Sequence, residues 1–190
     1  MKVIVTGCAG FIGYHATQYL LARGDTVVGI DNLNPYYDVT LKHARLAQFK
    51  DHPNFTFYQK DISDKNAMAE IFQRHSDVTH VLHLAAQAGV RYSLIAPYAY
   101  VQANVLGHLT LLEATKLLKD PQNFVYASSS SVYGANTKMP FAIEDPVDHP
   151  ISLYAASKRS CELISECYHP LFQIPQTALR FFTVYGPWGR

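Results

Sequence analysis

Short apolar runs alternate with stretches of helical periodicity along the whole chain, and this alternation restricts the fold more than any other feature. Val3–Thr6, Thr26–Ile30, Phe55–Gln59, Val78–Leu84, Phe124–Ser128 and Thr177–Phe182 read as strands. Between them, Phe11–Arg23, Leu41–Phe49, Lys65–His75, Pro97–Leu118 and Leu153–Tyr168 read as helices. In the first helix Ile12, Ala16, Tyr19 and Leu20 recur at helical spacing, and Pro97 suits the first turn of the fourth. The run Thr26–Ile30 is apolar without alternation, which marks a strand covered on both faces. Such repetition predicts an α/β fold: a Rossmann-type, doubly wound parallel sheet in three αβα layers, with ligands at the carboxyl ends of the strands.

The 190 residues show no compositional break and suffice for one domain, 1–190, with a sizeable core. Sixteen basic against fifteen acidic side chains create no overall field that would draw the chain to nucleic acid or an anionic membrane, so small-molecule partners are expected. Cys8, Cys161 and Cys167 are odd in number and lack metal-ligand spacing, which points to free thiols in a reducing compartment. His80 and His83, the closest histidine pair, would face opposite sides of a strand, so no metal is expected. Met1 leads almost at once into Val3-Ile4-Val5, with no charged leader and no apolar span of about 18 residues; a cytoplasmic location follows as the expectation. At the other end, Arg180–Arg190 leaves a strand, enters a turn rich in ligand-competent side chains and stops. Domain termini are ordinarily disposable and polar, so the chain is expected to be cut short here, the alternative being a domain with an untidy tail.

Gly7-Cys-Ala-Gly10-Phe-Ile-Gly13 directly follows the first strand and opens the first helix, the context that a dinucleotide fingerprint requires. Gly7 permits the turn, Gly10 lets backbone approach a pyrophosphate, and Gly13 lets the helix lie against the sheet. Phe11 and Ile12 bring the helix N-terminus and its unpaired N–H groups to the phosphates. Asp31, at the end of the second strand, is placed to accept hydrogen bonds from the adenosine ribose and would repel a 2′-phosphate, which favours NAD over NADP. An alternative is that Asp31 caps the Asn32-Leu-Asn-Pro turn. Asp61, beside Ile62, is a contact for adenine or else a cap of the next helix.

Tyr154 and Lys158 are four residues apart on a helix, so their side chains share one face. An ammonium beside a phenol stabilises phenolate, and a tyrosine tuned in this way exchanges protons with a hydroxyl near neutral pH. The fifth strand ends in Ser128-Ser129-Ser130-Ser131, which delivers hydroxyls to the same sheet edge.

At this point the chain resembles the extended short-chain dehydrogenase/reductases, in the NAD-dependent epimerase/dehydratase family, over its whole length. The matching pieces are Thr6–Gly13, Asp31, Asp61, His83-Leu84-Ala85-Ala86, Asn104, the serine run and Tyr154-Ala-Ala-Ser-Lys158. The resemblance implies that Ser129 hydrogen-bonds the reacting hydroxyl, Tyr154 is the acid/base, and Lys158 tunes it while holding the nicotinamide ribose. Gly7, Gly10, Phe11, Ile12, Gly13, Asp31, Asn32, Asp61, Ile62, Leu84, Ala85, Ala86 and Asn104 complete the implied NAD site, with Asn104 a structural or relay residue. Dehydratases of the family carry Thr-Asp-Glu where this chain has Ser-Ser-Ser, so the resemblance favours epimerisation.

Residues 31–38, 85–93, 136–141 and 180–190 are similar to the UDP-glucuronate 4-epimerase group. That likeness implies a UDP-sugar substrate touched by Gln87, Arg91, Ser93, Ser130, Ser131, Thr183 and Arg190, with an arginine available for a sugar carboxylate. It also implies a homodimer paired through the long helices, and members that continue well past Arg190 into a C-terminal substrate lobe missing here, so that the 190 residues are expected to bind NAD but to turn over UDP-glucuronate poorly or not at all. A non-catalytic NAD-binding module and a UDP-glucose 4-epimerase remain alternative readings.

Overall fold

The computed structural model describes residues 1–189. Six parallel strands, β1 (Lys2–Thr6), β2 (Thr26–Asp31), β3 (Phe55–Gln59), β4 (His80–His83), β5 (Asn123–Ser129) and β6 (Gln176–Phe181), form one sheet in the order β3-β2-β1-β4-β5-β6. All five pairings are parallel, as the strand-helix alternation requires. The strand order reverses between β1 and β4, and that switch point leaves a crevice at the carboxyl edge of the sheet.

Side chains alternate along the strands, so each face of the sheet has its own core. Val3, Val5 and Val27 pack with Tyr14 and Leu21 of α1 (Phe11–Ala22) and Leu46 of α2 (Val39–Ala47). On the opposite face Ile4, Val28, Ile30 and Phe124 pack with Met68 and Phe72 of α3 (Lys65–Arg74) and with Leu111 and Leu112. His80 and His83 lie on opposite faces, since Val81 belongs to the second core and Leu82 packs on the first. The three cysteines are free, and Cys8 and Cys161 are buried. Among the described residues no helix is long and apolar enough to cross a membrane.

Two departures from the sequence expectation bear on the site. The fourth helix is not continuous α-helix: α4 (Pro97–Tyr100) passes into a π-helical stretch, Val101–Leu106, before α5 (Gly107–Thr115). A stretch of this kind inside a helix is frequent at functional sites, and here it carries Asn104. The last helix, α6 (Leu153–Phe172), runs four residues further than expected, past Pro170, and stops at Gln173, which adopts the left-handed conformation of a helix C-cap. Ser152 caps its start by accepting from the Ala155 N–H at 3.0 Å. Shorter differences are a later start of β4 and 3-10 turns at Arg91–Leu94 and Ser130–Tyr133.

Candidate active site

A cavity of about 680 Å³ opens at the switch point and is lined by Gly7, Gly10, Phe11, Ile12, Gly13, Asp31, Asn32, Asp61, Ile62, Leu84, Ala85, Ala86 and Gln87, among others. Every residue that the sequence assigns to NAD before Asn104 is therefore brought to one wall. Gly13 has no side chain because none fits: a Cβ there would stand 2.0 Å from the Gly7 carbonyl oxygen. Gly7 has φ +71°, and a Cβ would meet the Ala85 nitrogen at 2.7 Å, so the β1 and β4 turns touch backbone to backbone. Bare backbone at a helix N-terminus is the cradle that a pyrophosphate needs. Thr6 locks the two turns together: its hydroxyl pairs with His83 Nδ1 at 2.8 Å and accepts from the Ala85 N–H at 3.2 Å.

Asp31 is buried and caps the turn that follows it. Oδ1 accepts from the Leu33 N–H at 2.8 Å, capping the turn, while Oδ2 accepts from the Ala9 N–H at 3.1 Å. A carboxylate oxygen has two acceptor sites, so Oδ2 retains capacity for a ribose hydroxyl. Asp61 accepts from the Ser63 N–H and hydroxyl and from Asn32 Nδ2 at 2.8 Å. Burial pushes its carboxyl up, but the Ser63 and Asn32 hydrogen bonds outweigh burial and hold it below the usual range. The cap of α3 is Asp64, not Asp61, which leaves Asp61 on the cavity wall.

The structure adds cations that the sequence reading did not single out. Lys42 Nζ lies 3.6 Å from Asp31 Oδ1. Arg45, one turn further along α2, is fully buried: Nη1 donates to the Ala9 carbonyl at 3.0 Å and the Tyr37 hydroxyl at 2.8 Å, and Nη2 to the Trp188 carbonyl at 2.5 Å. One guanidinium thus joins the glycine turn, the β2 exit loop and the end of the described chain. His15 pairs with the Pro187 carbonyl at 2.9 Å and the Tyr14 and Trp188 rings lie 5.5 Å apart, so residues 187–188 cross the start of α1. Their neighbours Val184, Tyr185, Gly186 and Gly189 line the cavity with Tyr36 and Tyr37. The available signal was the three-residue spacing of Lys42 and Arg45, which puts both on one helix face.

Ser129, Tyr154 and Lys158 do not line this cavity; they stand beside it, at the carboxyl end of β5 and the start of α6. Lys158 is buried and Nζ donates to the Ala127 carbonyl at 2.9 Å, which ties α6 to β5. Ser129 Oγ accepts from the Ser131 N–H at 3.2 Å and so starts the 3-10 turn that carries Ser130 and Ser131, both half-buried. Tyr154 is half-buried, its ring edge-on to Tyr100 with centroids 6.1 Å apart.

Asn104 is buried rather than solvated on a helix face. Its Oδ1 accepts from the Gln87 N–H at 2.8 Å, and Nδ2 donates to the Gln87 carbonyl at 3.1 Å and the Ser157 hydroxyl at 2.9 Å. It therefore fastens the β4 exit loop to α6, and these protein partners use both amide donors.

The residues assigned to substrate divide. Gln87 is on the cavity wall. Ser93 is buried with its hydroxyl given to the Val90 carbonyl at 2.6 Å, so it shapes the loop. Arg91 and Thr183 are exposed, and Arg190 lies outside the described residues.

A network missed by the sequence reading lies behind the serine run. Ser128 donates to Glu162 Oε1 at 2.6 Å, and Arg180 grips both Glu162 oxygens at 2.9 and 3.0 Å. Arg180 also reaches the Tyr133 hydroxyl at 3.2 Å. The pair joins β5, the serine turn, α6 and β6.

Among solved structures, the chain superposes with TM-score 0.90 on a UDP-glucuronic acid 4-epimerase from Bacillus cereus in complex with UDP-glucuronic acid and NAD. The two are 39% identical, and the match covers 100% of this chain and 59% of that one. A UDP-glucose 4-epimerase from Thermotoga maritima, solved with UDP-glucose, gives TM-score 0.87 and 35% identity over 98% of this chain and 57% of its own. Arabidopsis thaliana UDP-glucuronate 4-epimerase 4 is 50% identical over 190 residues, 100% of this chain and 43% of the relative. The chain spans about half the length of the curated relatives it matches. Residues 4–190 fit the family described as GDP-mannose 4,6 dehydratase, the NAD-dependent epimerase/dehydratase group, and the chain belongs to that family.

Proposed function

We propose that this chain is the NAD-binding and catalytic part of a UDP-sugar 4-epimerase whose preferred substrate is UDP-glucuronate. The observation that supports the reading is a glycine-walled cavity with Asp31 on its wall, at the carboxyl edge of the sheet where β5 also delivers Ser129–Ser131 and α6 begins with Tyr154 and Lys158. The glycine turn, Asp31 and Lys158 would hold NAD, which when bound would supply reversible hydride acceptance at C4 of the sugar. The glycine turn holds the pyrophosphate, and Asp31 holds the adenosine ribose. Ser129 hydrogen-bonds the C4 hydroxyl, and Tyr154 takes its proton and later gives it back. Lys158 holds the nicotinamide ribose and supplies positive charge beside the phenol.

Epimerisation is favoured over dehydration because Ser129–Tyr133 presents hydroxyls and no carboxylate to protonate a leaving group. The Arabidopsis and Bacillus relatives support a uronate substrate, for which Arg91 and Arg190 are the cations and Thr183 a small polar neighbour.

The test is proton NMR of UDP-glucuronate and, separately, UDP-glucose incubated with NAD. It uses the chain itself and a chimera that continues from Arg190 with the corresponding part of the Bacillus cereus epimerase. The 190 residues are expected to convert UDP-glucuronate poorly or not at all and the chimera readily, with Tyr154→Phe reducing the chimera's turnover about a hundredfold to ten-thousandfold while NAD still binds. Preference of the chimera for UDP-glucose would replace the substrate assignment, and an inactive, NAD-loaded chimera would leave a binding module.

A further inference from the structure

Tyr100 closes α4 and its side chain is completely buried, yet none of the roles above uses it. Its single hydroxyl proton is shared between two successive carbonyls of the β4 exit loop, Ala88 at 2.9 Å and Gly89 at 2.5 Å. Its ring stands at 80° to the Tyr154 ring with centroids 6.1 Å apart, the edge-to-face geometry that aromatic pairs prefer. On its other side Tyr92 lies 6.4 Å away, and Tyr92 in turn packs on Tyr36 of the cavity wall at 4.7 Å. Four residues further on, Asn104 clamps Gln87 of the same loop and Ser157 of the same helix as Tyr154. One helical segment thus grips the 87–89 loop twice and α6 twice, once through a ring and once through an amide.

We propose that Tyr100 is a positioning residue for Tyr154: it fixes the orientation of that phenol ring and couples it to the Gln87–Gly89 loop on the cavity wall. The hydroxyl anchors Tyr100 to the loop, and the anchored ring is the wall against which Tyr154 rests. A ligand that moves Ala88 or Gly89 therefore moves the surface that orients the phenol. The importance of this orientation for proton transfer rests on the reading of Tyr154 as acid/base, but the orientation itself does not.

The test places 3-fluorotyrosine at position 154 of the 190-residue chain and follows ring reorientation by fluorine NMR. A second sample carries the same label at the buried Tyr133, outside this cluster, as a control for general loosening. In the unsubstituted chain the Tyr154 ring is expected to be held, with a resonance displaced from that of the free amino acid. Tyr100→Phe keeps the ring and removes its hold on the carbonyls, and reorientation of Tyr154 is expected to quicken by about threefold to tenfold, the factor that loss of one net hydrogen bond allows. Tyr100→Leu, which removes the ring as well, is expected to quicken it further, with the Tyr133 signal unchanged in both.

Unchanged Tyr154 dynamics in a folded Tyr100→Phe or Tyr100→Leu chain would overturn the proposal, and so would equal loosening at Tyr133. If neither variant folds, the unsubstituted chain decides: a freely averaging Tyr154 resonance overturns the assignment and a restrained one supports it. The measurement needs no turnover, so its outcome stands whether or not the epimerase reading holds.

Discussion

A methyl group at position 13 would have to occupy the space of the Gly7 carbonyl oxygen, and neither backbone can give way without opening the turn. Gly13→Ala is therefore expected to cost about 3 kcal/mol of stability, the upper end of ordinary overpacking, and to weaken NAD binding in parallel. Urea denaturation with and without NAD checks this. Asp31 poses a subtler question, because Lys42 stands 3.6 Å from it. Asp31→Asn keeps an acceptor for the turn but frees the lysine charge. NAD affinity is expected to fall about tenfold and NADP to bind detectably, as shown by parallel titrations of the two cofactors. Gly7, Gly10, Gly13 and Asp31 were legible in the sequence because their mutual spacing is fixed by a strand-turn-helix-strand unit. Arg45 was not, because a lone arginine on an amphipathic helix reads as solvated. In the folded chain its acceptors come from three separate segments, at Ala9, Tyr37 and Trp188.

At the level of the elements, strand positions followed from β-branched apolar runs, and helix positions from apolar spacing. The π-helical stretch did not, since Val101–Leu106 has nothing in its composition that distinguishes it from α-helix; the bonds of Asn104 to Gln87 and Ser157 show up only in the folded chain. The same holds for the ion pair behind the serine run. Burial raises the Glu162 carboxyl, but hydrogen bonds from Arg180 and Ser128 more than offset this and hold it below its ordinary 4.5. A depressed carboxylate contributes stability that is complete above that ordinary value and is lost as pH falls through the folded one.

His108 sits on the other side of the same helix pairing, its Nε2 2.8 Å from the Ser165 hydroxyl. Burial lowers it from 6.5 to about 3, so its contribution is complete above pH 6.5 and drains away below it. The two windows overlap below pH 4.5, and only that of His108 extends above it. His108→Gln is expected to flatten the fall in urea midpoint between pH 6.5 and 4.5, and Glu162→Gln to flatten only the fall below 4.5. Glu162→Gln should also cost about 3 kcal/mol at neutral pH, because it leaves Arg180 without its anion. Coincident effects of the two variants across both windows would contradict these assignments.

For the molecule as a whole, the sheet order puts the β1 and β4 turns side by side, and every expected cofactor contact before Asn104 lines one cavity that runs along the carboxyl edge from β4 to β3. That much of the architecture was implicit in the alternation of elements and in one glycine turn. The way the two ends of the chain meet was not, because it depends on contacts such as His15 with Pro187 and Tyr14 with Trp188 that span nearly the whole sequence. The consequence is that the cavity is partly built by residues 184–189, which also follow the strand nearest the serine turn.

Calorimetric titration of NAD and NADP into the 190-residue chain, alongside Gly10→Val, tests the dinucleotide site most directly. One NAD is expected to bind per chain, with NADP weaker by about tenfold or more, and Gly10→Val is expected to abolish binding in a chain that still folds. Absence of saturable NAD binding by the folded chain, or undiminished binding by a folded Gly10→Val chain, would contradict the assignment of this cavity to the cofactor.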